Sequence, residues 1–66
     1  MLKSQTMSGQ DIRRYRRQLG WSQEDLARRL EVSNRTVCSW ENEETKPRGH
    51  IVIALRVVFA NAGITF

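Results

Sequence analysis

Hydrogen-bonding side chains recur with helical spacing in the segment VSNRTVCSW, residues 32–40. At 100° per residue, one side of a helix through this segment carries Asn34, Arg35 and Ser39. Asparagine can pair bidentately with adenine and arginine with guanine, so these side-chain types can read base edges in a major groove. The pattern therefore predicts a base-reading face made of Asn34, Arg35 and Ser39.

Serine residues mark the starts of the helices that would position this face. In the segments SGQD and SQED a serine precedes an acid by three positions, which satisfies free N–H groups at a helix start. The apolar spacing that follows predicts helices over about residues 9–19 and 23–30, the first ended by Gly20. Ser33 is a good N-cap for a third helix that runs to about Asn42.

The segment after this third helix is mostly apolar. Residues 50–62, closed by Gly63, predict a fourth helix, and residues 64–66 alternate like a short strand. One broad stripe of the helix can cover the other helices, while a second apolar stripe lies opposite. Since a surface helix of a monomer has no reason to be apolar on both faces, we expect a second copy to cover it. The expected homodimer interface consists of Ile53, Val57, Ala60, Ile64 and Phe66.

These elements predict a single domain. The expected fold is a compact all-α domain of four helices with a short extended C-terminal tail, residues 8–66, preceded by a disordered tail, residues 1–7. A chain of 66 residues buries only roughly 60% of the surface of its unfolded chain, so its monomer should be marginally stable. Dimerisation would therefore also add stability.

Charge and hydropathy limit the class of partner. Eleven Lys and Arg against seven Asp and Glu leave a formal charge of +4, which indicates an anionic partner, with nucleic acid first. The longest apolar run, residues 51–60, is interrupted by Arg56 and is too short to span a bilayer, and nothing near the N-terminus resembles a signal peptide. We expect a cytoplasmic protein without a membrane partner.

Catalytic and metal-binding residue types are scarce. Cys38 is the single cysteine and His50 the single histidine, too few ligands for a structural zinc site. His50 has no nucleophile or base beside it in the sequence, so acid-base catalysis is not expected. We predict no enzymatic activity, no metal, no cofactor and no small-molecule ligand. Cys38, on the side of the base-reading face, is either an oxidation sensor or an inert filler.

The segment QEDLARRLEVSNRTVCSWEN, residues 23–42, resembles the helix-turn-helix of the Cro and phage-repressor (XRE-like) family of DNA-binding proteins. The small residue Ala27 stands where two crossing helices of that motif approach closely, and the similarity extends over about residues 8–47. The motif's apolar positions hold Leu26, Leu30, Val32, Val37 and Trp40.

The chain departs from the family at two turns, where Glu31 and Glu43 stand in place of frequent glycines. A non-glycine residue held at positive φ costs about 1 kcal/mol. Either these turns differ locally, or the protein tolerates the strain.

The resemblance also implies contacts with the DNA backbone. Gln23 corresponds to a family glutamine that contacts a phosphate and braces the recognition helix, although a solvated first-turn residue is the alternative. Glu43 and Glu44 would repel DNA if they pointed the same way as the nearby basic residues. The phosphate-binding residues implied by the resemblance are Ser22, Gln23, Asn42, Lys46 and Arg48.

A charged pair of the family is matched by Arg16 and Glu41, which would tie the first helix to the third. The alternative is two separately solvated charges, and such a pair need not add much net stability. The other arginines of the first helix, Arg13, Arg14 and Arg17, are expected to form a solvated face, some of which can touch the DNA backbone.

Taken with the residues, the resemblance implies a sequence-specific regulator of transcription that binds double-stranded DNA. The expected form is a homodimeric repressor that reads the major groove of an inverted-repeat operator with its third helix. A different class stays open: a protein-interaction module, such as an antitoxin or adaptor, that grips another polypeptide through its fourth helix.

Overall fold

Four helices make up the regular structure of residues 7–65, which are the residues that this computed structural model describes. They are α1 (Gly9–Gln18), α2 (Gln23–Leu30), α3 (Asn34–Glu41) and α4 (Gly49–Asn61). The predicted all-α class is confirmed, and each helix lies within about one residue of its predicted bounds. Residues 64 and 65 form neither helix nor strand, and Phe66 lies outside the described residues.

Two reciprocal caps define where the first two helices begin. The Asp11 N–H donates to Ser8 Oγ at 3.1 Å, and the Ser8 N–H donates back to Asp11 Oδ2 at 3.3 Å. Ser22 and Asp25 make the same exchange at 3.0 and 2.9 Å. Hydrogen bonding with the backbone and then the side chain of Ser22 holds the pKa of Asp25 below its ordinary value, because it favours the ionised form. These side chains satisfy N–H groups that the helices leave unpaired.

Each of the four helices contributes a fully buried side chain to one core. The largest of these are Phe59, Ile12, Leu26, Leu55 and Val37. The Phe59 ring of α4 lies 5.4 Å from the Tyr15 ring of α1 and 6.1 Å from the Trp21 ring, measured between centroids. Thus α4 covers α1 and α2 from one side, while α2 packs against α3 on the other.

The two turns with glutamate in place of glycine keep a left-handed backbone. Glu31 has φ 60° and Glu43 has φ 61°. After α3, the Glu43 N–H donates to Trp40 O at 3.0 Å and the Glu44 N–H donates to Ser39 O at 2.9 Å. This pair of bonds closes a helix end and requires a left-handed residue there. The protein therefore tolerates about 1 kcal/mol of strain at each glutamate rather than changing the turn.

A close approach between α1 and α3 depends on Gly9. A Cβ atom at this position would lie 2.0 Å from the carbonyl oxygen of Trp40. No side chain fits there, because real Cβ contacts are essentially never shorter than 3.0 Å. Gly9 therefore lets the first turn of α1 rest directly on the last turn of α3.

The C-terminal tail packs differently from the sequence expectation. Gly63, with φ 111°, turns the chain back on α4, and the Ile64 N–H donates to Phe59 O at 2.9 Å. This helix ending commonly places an apolar residue against the helix that it follows. Ile64 is accordingly only 6% exposed within the monomer core. Ile64, which we expected at a homodimer interface, instead packs within the core of the single chain.

The N-terminal boundary of the core also differs from expectation. Met7, which we expected to lie in the tail, is buried among the core residues. It has no periodic neighbours in sequence, so helical spacing could not reveal its role. The rest of the expected tail, residues 1–6, lies outside the described residues.

Candidate nucleic-acid interface

The outer side of α3 presents the residues expected to read bases. Asn34 and Arg35 are exposed and Ser39 is half-buried. Arg35, Ser39 and Asn42 border one shallow depression, whereas Asn34, the first residue of α3, is not part of its lining. The structure therefore brings two of the three expected base-reading residues around one depression, with the third at the start of the same helix.

Two residues beyond α3 border the same depression: Thr45, which the sequence reasoning missed, and Glu44, which it considered only as an acid that could repel DNA. Thr45 Oγ1 and Ser39 Oγ share a hydrogen bond of 3.0 Å, and Glu44 completes the rim. Helical periodicity could not find them, because the left-handed backbone of Glu43 folds this loop back over the end of α3. The hydroxyl of Ser39 is thereby hydrogen-bonded to the loop.

Cys38 lies within the depression and is half-buried. Its sulfur accepts a hydrogen bond of 3.5 Å from the Asn42 Nδ2 amide. A hydrogen bond from a neutral amide does not activate a thiol, so this contact offers no support for an oxidation sensor.

Behind α3, an ion pair joins the first helix to the third. Arg16 Nε donates to Glu41 Oε2 at 2.7 Å, and Arg16 Nη2 donates to Glu41 Oε1 at 3.0 Å. A further Arg16 nitrogen, Nη1, donates to Trp21 O at 2.8 Å in the loop before α2. The side chain of Glu41 has 0% exposure. The Arg16–Glu41 pair that the family resemblance implied is therefore present, with two contacts between the side chains, and it is not two solvated charges.

Two more donors converge on the same carboxylate. Gln23 Nε2 donates to Glu41 Oε1 at 3.1 Å, and Arg13 Nε donates to this oxygen at 3.5 Å. Gln23 thus braces α2 against α3. We expected Arg13 to be solvated. Its position three residues before Arg16 puts the two side chains on neighbouring sides of α1, and this spacing could have revealed the contact of Arg13 with Glu41.

The electrostatics of this cluster follow from its donors. Burial on its own would raise the pKa of Glu41, but the hydrogen bonds from Arg16 and Gln23, the charge of Arg16 and the Arg13 contact together lower it below the ordinary value. The same hydrogen bond with Glu41 raises the pKa of Arg16. Glu41 is therefore an ionised, buried carboxylate that fixes α1 and α2 relative to α3.

Comparison with protein families agrees with this geometry. A family model described as helix-turn-helix matches residues 12–60, which is most of the chain. The chain belongs to the Cro-type helix-turn-helix family. It is accordingly a DNA-binding helix-turn-helix regulator. A comparison with curated proteins found no match.

The expected phosphate-binding residues of this helix-turn-helix domain lie at helix ends and in the loop after α3. Ser22 is the N-cap of α2, and Gln23 is its first residue. Asn42 is the C-cap of α3, and Lys46 and Arg48 are exposed in the segment that leads to α4. Ser22, Gln23 and Asn42 already make hydrogen bonds within the protein, so each would offer only its remaining polar groups to DNA.

The two glutamates of the loop take different positions in the helix-turn-helix domain. Glu44 borders the depression that Arg35 lines. Glu43 instead lines a cavity of about 240 Å³ that Met7 and Trp40 share. Of the two acids that we expected to repel DNA if they pointed toward it, only Glu44 borders the depression that contains the expected base-reading residues Arg35 and Ser39.

The outer side of α4 carries the largest exposed apolar side chains of the described residues. Ile53 is 63% exposed and Val57 is 52% exposed, with Ala60 exposed one turn further along. Their spacing places the three on one side of the helix. None of the helices within residues 7–65 is long and apolar enough to cross a membrane.

Proposed function

We propose that this helix-turn-helix protein is a homodimeric, sequence-specific repressor that reads the major groove with α3. The observation that carries the proposal is the exposed polar side of α3, whose opposite side is fixed to α1 and α2 through the buried Glu41. Ordering a mobile donor side chain on binding costs conformational entropy and weakens affinity. Base recognition therefore benefits from side chains that are already held in place. The recognition helix here is rigidly supported.

Base readout would come from the chemistry of the α3 side chains. The guanidinium of Arg35 can donate bidentately to O6 and N7 of guanine, and the amide of Asn34 can pair with N6 and N7 of adenine. Ser39 lies one turn beyond Arg35 on the same side of the helix and can bond either type of base edge. These residues would supply specificity, whereas the backbone contacts would supply register.

Contacts with the DNA backbone would come from the start of α2 and from the loop after α3. Gln23 would reach a phosphate from the start of α2, and Lys46 and Arg48 would reach phosphates from the loop after α3. Ser22 and Asn42 border these two sites at helix ends. Such contacts release counterions, so affinity should fall steeply with salt.

Dimerisation would give the selectivity that one small domain lacks. A lone helix-turn-helix reads few base pairs, whereas two copies related by a two-fold axis read an inverted repeat. The exposed stripe of Ile53, Val57 and Ala60 is the surface that we propose for the two-fold contact, with Phe66 kept from the sequence expectation and Ile64 left out because it packs in the core. The half-site centres would lie roughly 10 base pairs, about 34 Å, apart on one side of the duplex.

The same apolar stripe also favours a second candidate function. An antitoxin or adaptor could use the outer side of α4 to bind a different polypeptide instead of a second copy. Co-purification of a heterologous partner, together with failure to select any DNA sequence, would favour this alternative over the repressor.

Arg35→Ala tests base readout. We expect it to weaken binding to the preferred duplex by about 1 to 3 kcal/mol and to relax discrimination at one position in each half-site. Titration of labelled preferred and mixed-sequence duplexes measures both effects, and Arg14→Ala is a control that removes the same charge from α1. If Arg35→Ala lowers specific and nonspecific affinity equally, Arg35 binds a phosphate and the assignment is wrong.

A further inference from the structure

Arg13 differs from the other members of the Glu41 cluster in its exposure. Its side chain is 45% exposed, whereas the carboxylate that it contacts is fully buried and Arg16 is largely buried. The α1 residue Arg13 thus connects the interior cluster to the protein surface.

The charges of the cluster do not cancel. Glu41 carries one negative charge and makes its two shortest contacts with Arg16, at 2.7 and 3.0 Å. Arg13 approaches the same carboxylate only through Nε at 3.5 Å. One positive charge is therefore left in excess at the surface, on the half-exposed Arg13.

Two of the three donor nitrogens of Arg13 are also still available for hydrogen bonding. Within residues 7–65, its terminal nitrogens Nη1 and Nη2 make no hydrogen bond or ion pair. The fork of a guanidinium matches two oxygens of a phosphate, and a pair of this kind is charge-assisted. Glu41 thus holds the Arg13 cation at Nε, while Nη1 and Nη2 can still donate to an anion outside the protein.

Gln23 lies next to Arg13 because both contact the same oxygen. Gln23 Nε2 is 3.1 Å and Arg13 Nε is 3.5 Å from Glu41 Oε1. The Gln23 amide uses one N–H on Glu41 and has a second N–H left to donate. Side chains from α1 and α2 therefore meet at a spacing that one phosphate group can span.

We propose that Arg13 and Gln23 bind the same phosphate of the DNA backbone, with Glu41 as the buried group that holds both. The inference rests on the proposed DNA-binding function and adds α1 to the interface. In the α2 cap, the carboxylate of Asp25 is already engaged, since it accepts from the Ser22 N–H and from Arg28 at 2.7 Å. Arg13 is then a phosphate-binding residue and not part of a solvated face.

The test is the salt dependence of binding to a fluorescently labelled, mixed-sequence duplex. Arg13→Gln should lower the magnitude of the log-log salt slope by about 0.9 for each bound protomer, the value for one neutralised phosphate. Arg13→Lys should restore most of the slope, because it keeps the charge. Arg14→Gln removes the same charge from the next residue and loses an exposed contact with Asp11 and the contact of its guanidinium with the Tyr15 ring, 5.2 Å from the centroid. It should leave the slope unchanged.

Loss of a purely structural contact would weaken binding without changing the number of ions released, so the slope separates the two roles. Thermal unfolding followed by circular dichroism checks that each variant is folded. Lys46→Gln, outside the cluster, should flatten the slope as well. If it does so while Arg13→Gln behaves like Arg14→Gln, the Arg13 inference is overturned and the proposed function stands. If the wild-type protein does not bind the duplex, both are overturned.

Discussion

Val57→Asp is expected to produce a folded monomer that keeps weak nonspecific DNA binding and loses its operator. Val57 is 52% exposed in the middle of the outer apolar stripe of α4, so a carboxylate there does not disturb the monomer core. In a two-fold contact the substitution would bring two desolvated like charges together. With one recognition helix left, affinity for the operator should fall toward the nonspecific level, by on the order of 10³-fold or more. Sedimentation velocity and duplex titration measure the two effects.

The matched control for this experiment is Ala62→Asp. It adds the same charge at an exposed position at the end of α4, on a different side from the stripe. We expect it to stay dimeric and to keep operator affinity. A wild-type protein that sediments as a monomer at micromolar concentration and binds an isolated half-site with full affinity would contradict the dimer.

Glu41→Gln is expected to remove about 3 kcal/mol of the free energy of unfolding at neutral pH. The substitution leaves the largely buried Arg16 without its counter-charge, and breaking a buried pair from one side costs about 3 to 5 kcal/mol. A domain of this size has only about 3 to 10 kcal/mol of stability, so this loss would remove between about a third and all of it. Urea denaturation followed by circular dichroism measures the loss.

A double variant distinguishes the loss of the ion pair from the cost of leaving Arg16 buried without its counter-charge. Arg16→Met combined with Glu41→Leu removes both charges and keeps apolar volume, so it should be more stable than Glu41→Gln alone. The ordering of the two stabilities stays measurable even if the single variant is mostly unfolded. Equal stability of wild type and Glu41→Gln would show that the cluster does not hold the helices together.

The pH dependence of stability follows from the lowered pKa of Glu41. A carboxylate whose pKa is lower in the folded state stabilises the protein above its unfolded pKa, and this contribution is lost as the pH falls through the folded value. Wild-type stability should therefore decline below about pH 4.5, the ordinary value for this group. Glu41→Gln should have a shallower decline, since Asp25, with its own lowered pKa, then remains. Parallel declines in the urea midpoint between pH 7 and 3 would contradict the role of Glu41.

Local rules predicted most of the fold. Ser8, Ser22 and Ser33 cap the helices as expected, because capping depends on residues only three positions apart. The backbone at Glu31 could not be predicted from its residue type, which disfavours positive φ. The packing around it overrides that local preference, and the structure keeps the turn at some cost in strain.

Interactions between distant segments were the part that sequence reasoning could not reach. Ile64 alternates like a strand residue, yet Gly63 folds it back into the core. Arg13 looks like one more solvated arginine, and only the folded arrangement of α1, α2 and α3 brings it to Glu41. The Arg16–Glu41 pair was expected because the family resemblance, not residue spacing, indicates it.

Selection of bound duplexes from a random DNA pool by the protein tests the central claim most directly. The account predicts enrichment of an inverted repeat whose half-site centres lie roughly 10 base pairs apart, with guanine or adenine at the positions that Arg35 and Asn34 reach. A pool that shows no enrichment after repeated rounds, although the protein is folded, would contradict sequence-specific recognition by α3.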